Sequence, residues 1–503
     1  MRSLSALLAL PLLAQAPEPL RLTEKDAIAL ALRQGLAPRS AQARRDALRS
    51  GVRQEEGAFD WTAGLSAGLA KLEAEDANPR TSGLNNLFFS DTRTTAFQRG
   101  LGLWVEKPLI TGGTLNVSLA PSYLFQDVNQ TNTLAGTSTS ANLAYATQNP
   151  YGGRVTVGLT QPLLRGFGPA AAEARLRAAR KLAEAADQDY RRDLLREITY
   201  TDALYWNVVF ARQNLVDKQT TLSLTRKQLE EDRERVASGM LAPLELPAVE
   251  AAVLERERQV LSAETLLQTA EAALAAEIMP EQAAPPLLPT DAPTPVPLTL
   301  SLEEAERLAL RLRPELQAGE AQFQARRILE KEAENRALPQ VDATLAYTGG
   351  SASHDRLDPV LTDLSASRYP GYFAGLQVKI PLGNRAALGA LDRRRAERLS
   401  ADLENRSLRQ GILLEVRQGY STLKAAEKEV EALAKALEFR ERSLEAEQEK
   451  LDNGLSTSFF LLQREDELDQ ARTALTLARV SYRKAYTAFL QATGQLASEA
   501  LHL

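Results

Sequence analysis

The sequence predicts a mixed α and β fold made of two repeats, each joining a set of β-strands to a long coiled-coil helical hairpin. Three observations carry this. Leu194, Thr201, Val208, Leu215, Leu222, Leu229 and Val236 fall every seventh residue and are followed by Gly239. Val416, Leu423, Val430, Leu437, Leu444 and Leu451 repeat the pattern ahead of Gly454. A strict heptad keeps one seam on a neighbour only when helices supercoil left-handedly. Upstream of each run lie stretches with an apolar residue at every second position, bounded by Gly, Asn, Ser and Thr, a pattern that suits tilted membrane strands or a half-buried soluble sheet. The opening residues carry an export signal.

Residues 1–16 read as a cleavable signal peptide. Arg2 supplies the charge, Leu4 to Leu13 the apolar stretch, and Ala14-Gln15-Ala16 the cleavage site. Pro11, Pro17 and Pro19 count against a buried first helix. The 503 residues include no Cys, which excludes disulfides, thiolate metal sites and an acylated N-terminal cysteine. With 60 Lys+Arg against 65 Asp+Glu there is no nucleic-acid footprint. The two histidines, His354 and His502, are read as structural or incidental. No later segment offers about 18 consecutive apolar residues, so an exported chain that crosses a membrane must do so as β-strands.

The first repeat spans 17–279. A helix is expected over 23–58, where Thr23 stands three residues before Asp26, the spacing of a capping box. The strand section, 59–164, alternates through Leu65, Ala67 and Leu69 within Trp61 to Lys71, and through Leu101, Leu103 and Val105 within Arg99 to Lys107. It continues through Leu115, Val117 and Leu119 within Thr114 to Phe125, and Val155, Val157 and Leu159 within Gly153 to Leu163. Pro108 to Gly113 is a short turn, whereas 74–95 and 128–150 are polar and expected as long loops. Short turns on one side and long loops on the other are the pattern of an outer-membrane barrel. A long helix over 167–238 and a return helix over 244–279 complete the repeat. Pro247 implies that the return helix starts late or kinks.

Residues 280–299 hold seven prolines and read as an extended connector. The second repeat, 300–493, opens with a helix over 301–338, where Ser301 and Glu304 repeat the capping-box spacing. Its strand section, 341–381, holds Val341 to Tyr347 and Tyr372 to Ile380 around a long loop, 349–371. A long helix over 383–453 and a return helix over 457–493 follow, and 494–503 is a tail. The two openings lie 278 residues apart, but Pro162 and Pro381 only 219 apart, so the first repeat carries about 59 extra residues before Pro162. At the hairpin tips, Gly239 and Gly454 sit where a helix must end with positive φ. Ser456 or Thr457 is placed to cap the next helix, and Pro243 suits a first turn.

The doubled Leu-Thr/Ser-x-x-Asp/Glu-Ala openings, the strand exits Gln161-Pro162-Leu163-Leu164-Arg165-Gly166-Phe167-Gly168 and Ile380-Pro381-Leu382, and the turns Arg235-x-x-x-Gly239 and Asn453-Gly454-Leu455-Ser456-Thr457 come in one order. In that order and spacing they resemble the outer-membrane efflux protein family typified by TolC, across essentially the whole mature chain. The resemblance implies a homotrimer in the outer membrane, with a transmembrane β-barrel continuing into a long periplasmic α-barrel. Two short helices stacked end to end would match each long one, so that twelve rods line up. It implies a passive exit duct for tripartite efflux or type I secretion, with no cofactor, metal or catalytic site. Its implied partners are a periplasmic adaptor (membrane fusion) protein, an inner-membrane pump or ABC transporter, and outer-membrane lipid. Adaptor contact is assigned to the tips: Arg235, Gly239, Met240, Leu241, Asn453, Gly454, Leu455, Ser456 and Thr457.

Two departures from the family pattern stand out. Family members commonly give two strands per repeat and twelve per trimer, whereas the extra residues here carry a further hairpin, Arg99 to Phe125. The preferred placement is an extended external loop or a rim-packed pair; the alternative is six strands per subunit and an eighteen-strand barrel. The second departure is at the periplasmic gate, where the resemblance implies acidic rings on the second hairpin. The matching positions are Phe460 and Gln463, so an apolar ring would close by dewetting, with Phe459 beside it. Glu245 matches the acid of the first hairpin and is placed to pair with a base of a neighbouring hairpin. The competing reading has Phe459 and Phe460 anchor their helix on its neighbour.

A non-conducting coiled-coil tether or adhesin-like stalk is the alternative function. A solid stalk needs both seam positions apolar, yet Glu427, Ala434, Glu441 and Gln448 intervene. One apolar seam with polar flanks suits a wall beside a water-filled lumen. No nucleophile–His pair, phosphate loop or His-rich spacing points to an enzyme.

Overall fold

The computed structural model describes residues 19–82, 86–134, 140–239, 242–281, 285–453 and 455–496. The expected signal peptide, Met240, Leu241, Gly454 and residues 497–503 of the tail lie outside the described residues. In chain order the first elements are β1 (Leu20–Leu22), α1 (Glu24–Gln34), α2 (Leu36–Glu56), β2 (Thr62–Ser82), β3 (Asn86–Pro108), β4 (Thr114–Leu134), β5 (Ser140–Ala146), β6 (Tyr151–Pro162), α3 (Pro169–Ala172) and α4 (Ala174–Ala237). They continue with α5 (Leu246–Ile278), β7 (Leu287–Pro289), α6 (Leu302–Leu312), α7 (Pro314–Arg336), β8 (Gln340–Gly350), α8 (Leu357–Ser365), β9 (Tyr369–Lys379), α9 (Arg385–Asp452) and α10 (Ser458–Thr493). The chain forms two units, one from Met1–Ala47, Glu184–Glu320 and Leu403–Leu503, the other from Leu48–Ala183 and Ala321–Asp402. Among the described residues no helix is long and apolar enough to cross a membrane.

The first unit is helical. Both capping boxes form: the Asp26 amide donates to Thr23 Oγ1 at 3.1 Å and the Glu304 amide to Ser301 Oγ at 3.3 Å, with the reciprocal carboxylate bonds in place. The single opening helices expected over 23–58 and 301–338 are instead broken in two. α1 stops at Gly35 (φ −57, ψ 146) and α6 at Arg313 (φ −62, ψ 121), which are equivalent positions 278 residues apart. At Gly35 a Cβ would lie 2.4 Å from the Ala31 carbonyl oxygen. At the second break Pro314 restricts the residue before it to extended backbone. Arg313 there is buried, donating to Glu315 at 3.0 Å and Glu415 at 2.9 Å.

The expected long helices are α4, with 64 residues, and α9, with 68, about 96 and 102 Å at 1.5 Å per residue. The heptads face inward: Thr201, Val208, Leu222, Leu229, Val416, Leu423, Val430 and Leu451 are buried, and the other heptad positions are half-buried. Tyr205, Trp206, Leu274, Ile278 and Val480 form one core with Leu22 and Leu287. Ile412, Val416, Leu423, Tyr482 and Phe489 form another with Ala305 and Ala309 of α6. Within the proline-rich connector Leu287–Pro289 is extended as β7, which pairs in parallel with β1 through Leu20↔Leu287 to Leu22↔Pro289. Pro247 falls in the first turn of α5, which starts two residues later than expected after a short 3₁₀ turn, Pro243–Glu245.

The second unit is built on an antiparallel sheet in the order β2-β3-β4-β6-β8-β9, with β5 paired to β4. All six expected strands are present. The extra hairpin is not an appended loop or rim element, as preferred from sequence. β3 and β4 stand in the middle of the sheet, in register with β2 through Leu65↔Leu103 and with β6 through Leu119↔Val155. The expected loops are also shorter. β2 and β3 pair as far as Ser82↔Asn86, β4 continues to Leu134, and α8 occupies much of 349–371.

Strand alternation gives the sheet two unlike faces. One row runs Ala63↔Val105↔Val117↔Val157↔Tyr347↔Tyr372, and the adjacent row on the opposite face runs Gly64↔Trp104↔Ser118↔Thr156↔Thr348↔Gly371. The Leu/Val face is exposed at Leu65, Leu69, Leu101, Leu103, Val117, Val157, Leu345 and Leu376. The other face is small and polar, and Trp104 lies across Gly64, where a Cβ would sit 2.3 Å from its ring. α8 packs on the Leu/Val face. A Cβ on Gly153 would meet Val360 and Leu364 at 2.9 Å. Its buried Asp363 accepts from His354 Nε2 at 2.8 Å and Arg368 Nη1 at 3.0 Å, so His354 has a structural task.

Candidate functional site

The candidate site is the pair of hairpin tips, both within the helical unit. At the first tip the Ser238 amide donates to Glu234 O at 3.0 Å and the Gly239 amide to Val236 O at 3.0 Å, closing α4. Gly239 has φ +74, and nothing lies within 4 Å of where its Cβ would stand. Its glycine identity therefore answers to backbone conformation alone. The Arg235 guanidinium lies 4.0 Å from the buried Asp232 of its own helix, which also accepts from Gln228 Nε2 at 2.9 Å. Arg235 is thus turned toward α4. Glu245 is half-buried in the 3₁₀ turn and makes no ion pair among the described residues, while its neighbour Leu244 is 88% exposed.

The second tip closes by a Schellman-type bond, the Leu455 amide donating to Lys450 O at 2.8 Å. Asn453 supports it, its Nδ2 donating to Glu449 O at 2.7 Å. Neither expected capping side chain caps α10. Ser456 Oγ donates instead to the Glu447 carboxylate, and this bond, with that from Lys450, holds Glu447 below the usual carboxylate range. Thr457 occupies the N-cap but acts through its carbonyl, which accepts from Phe460 N at 3.1 Å and Leu461 N at 3.3 Å.

Leu461 and Leu462 are buried and anchor α10, with Leu462 packed among Leu222, Leu229, Val249 and Val253. Phe459 and Phe460 precede these two leucines on the helix. They are 61% and 49% exposed, with ring centroids 5.6 Å apart at 74°, and Gln463 is exposed one turn beyond Phe460. Leu455 is 79% exposed. The tips therefore present Leu244, Leu455, Phe459, Phe460 and Gln463, while Arg235, Asn453, Ser456 and Thr457 shape the turns.

Sequence reading missed the charges that lock one hairpin to the other. Buried Arg256 of α5 donates to Asp466 of α10 at 2.8 Å. Lys218 of α4 pairs with buried Asp469, which also accepts from Thr221 Oγ1 at 3.3 Å. Burial pushes the Glu465 carboxyl up, an effect that the Arg256 charge opposes. Higher in the unit Asp202 is pushed up to about 7 by burial and then by the Glu24 charge. Glu197 is pushed up to about 7 by burial and by Glu277. No period in the sequence marks these charges, and only the fold brings residues 210 apart in sequence together. Among the described residues no group of His, Cys, Asp or Glu is arranged to hold a metal.

Two long helical hairpins joined to a two-faced antiparallel sheet define the class. Residues 307–495 match the family described as outer membrane efflux protein. The outer-membrane channel OprN is similar at 15% identity over 94% of this chain and 89% of that one, with a TM-score of 0.65. The outer membrane protein VceC from Vibrio cholerae is similar at 16% identity over 94% and 96%, with a TM-score of 0.62. The open state of the Neisseria gonorrhoeae MtrE outer membrane channel gives 16% identity over 94% and 88%, with a TM-score of 0.62. A comparison with curated proteins finds no match. The chain has the fold of the TolC-like outer-membrane channels, and the outer membrane efflux protein match falls on its second repeat.

Proposed function

We propose that the protein is a passive exit duct of the outer membrane, serving efflux or type I secretion as a homotrimer. One observation carries the reading: the sheet has one Leu/Val face and one Gly/Ser/Thr face, as a wall between lipid and an aqueous lumen requires. The edges of that sheet, β2 and β9, are long, and an unpaired edge is costly in lipid. Six strands on the main path run alternately up and down, so β9 of one copy meets β2 of the next antiparallel. Three copies then close an eighteen-strand barrel.

The exposed Phe459, Phe460 and Gln463 of the second tip, with Glu245 of the first, form the periplasmic constriction, and an apolar ring there closes by dewetting. The tips, with Leu244 and Leu455 as their apolar points and Gly239, Met240, Leu241 and Gly454 at the turns, dock a periplasmic adaptor protein. The adaptor in turn couples the duct to an inner-membrane pump or ABC transporter that supplies the energy.

The test is single-channel conductance of the purified trimer in planar bilayers, with Phe460→Ala beside the parent. Small, rare openings that grow in the variant are expected. Silence from both, despite correct trimer insertion, would replace the duct with the tether or stalk.

A further inference from the structure

On the Leu/Val face, a groove of about 600 Å³ runs between the outer part of β2–β4 and α8. Its walls are Leu69, Leu101, Tyr123, Tyr151 and Leu357, with Arg99 at one end. Arg99 is exposed on this face, in register with Leu69 and Tyr123, and its guanidinium stands 5.7 Å from the Tyr123 ring centroid. Among the described residues no carboxylate pairs with it. Tyr123 and Tyr151 meet edge-on across the strands, with centroids 5.1 Å apart. α8 adds Leu357 and Leu361, 44% and 48% exposed and one turn apart, while Val360 and Leu364 hold the helix to the sheet.

A bare cation on the lipid-facing side of a barrel is destabilising to an extent that depends on depth, and aromatic rings mark the interface. A guanidinium at that level favours a phosphate, which it binds with charge-assisted hydrogen bonds. An amphipathic helix with exposed leucines likewise lies in the interface and not in water. We propose that the groove binds one acyl lipid with an anionic phosphate headgroup, its chain along Leu69, Leu101 and Leu357 and its phosphate on Arg99. The occupant is a membrane lipid and not free phosphate, because the groove is continuous with the apolar face of the sheet. This inference rests on the placement of that face in a membrane.

The test reconstitutes the full chain in nanodiscs of equal phosphatidylglycerol and phosphatidylcholine, then counts retained lipids by native mass spectrometry. The parent is expected to keep phosphatidylglycerol in preference. Arg99→Gln should retain about tenfold less, as loss of a charge-assisted contact implies, and Arg99→Lys should retain most of it. Leu357→Asn, which leaves the strand ladder alone, should lower retention as well. Equal retention of the two lipids by the parent, undiminished phosphatidylglycerol on Arg99→Gln, or displacement by inorganic phosphate would overturn the proposal. A parent chain that fails to insert overturns the membrane placement and this site together, whereas insertion without lipid preference overturns this site alone.

Discussion

Replacing Arg256 with Gln should loosen the second hairpin tip from the first. The guanidinium is buried and lies 2.8 Å from Asp466 Oδ1, with Gln259 Oε1 at 3.3 Å. At an effective dielectric of 20, charges at 2.8 Å attract by about 6 kcal/mol before desolvation is subtracted. Breaking a buried pair generally costs 3–5 kcal/mol, but the Asp466 side chain is 43% exposed and water relieves part of it. A net cost of about 2 to 3 kcal/mol remains, which corresponds to roughly 30- to 150-fold more frequent local opening. Glu465 raises the stakes, because it loses the one charge that favours its ionised form. The assay is hydrogen exchange by mass spectrometry on peptides covering 246–262 and 458–470 in detergent. Arg258→Gln is the control, since Arg258 reaches only the exposed Glu255 on its own helix, and it should change nothing measurable. Exchange of Arg256→Gln within threefold of the parent would refute the idea that this pair locks the tips.

Two further outcomes follow from the same unit. Asp202, raised from 3.8 to about 7, holds a proton in the folded chain that the unfolded chain has released. Its contribution therefore favours folding at low pH and is lost as pH rises from about 4 to about 7. Thermal unfolding of Asp202→Asn should gain on the parent between pH 5 and pH 8, and a constant difference across that range would count against burial holding this carboxyl protonated. Gly239→Ala places a Cβ in open space but at φ +74, so it should cost about 1 kcal/mol through backbone conformation alone. Faster proteolysis at the first tip, restored in Gly239→Asn, is the expected readout.

What could be read before folding was whatever repeats locally. The capping boxes at Thr23 and Ser301, the heptads and the six alternating stretches are short-range signals, and each forms as expected. The outer halves of β2 and β3 could not be read, because residues such as Asp76, Thr92 and Thr94 alternate polar with polar and leave no apolar period. Sheet pairing extends them where hydropathy is silent. The break before Pro314 was readable in principle, since proline there opens a new helix; no proline directly follows Gly35, and the space beside Ala31 O that a Cβ would overfill exists only in the fold. At the tips, sequence placed the turns and the exposed aromatics. It misassigned Ser456, whose hydroxyl turns back to Glu447 of α9, and it missed Arg256 with Asp466 because no periodicity reports on tertiary pairing.

The two breaks in the opening helices bend the backbone alike but are held by different forces. At Gly35 it is a backbone hydrogen bond, the Gly35 amide donating to Ala31 O at 2.8 Å, and glycine is required because a Cβ would lie 2.4 Å from that oxygen. At Arg313 it is charge, shared among Glu315, Glu415 and the carbonyls of Gln491 and Ala492. A backbone hydrogen bond is indifferent to ionic strength, whereas an ion pair reaching the half-exposed Glu415 is weakened by it. Salt therefore reaches the ion pairs at the second break and has no counterpart to screen at the first.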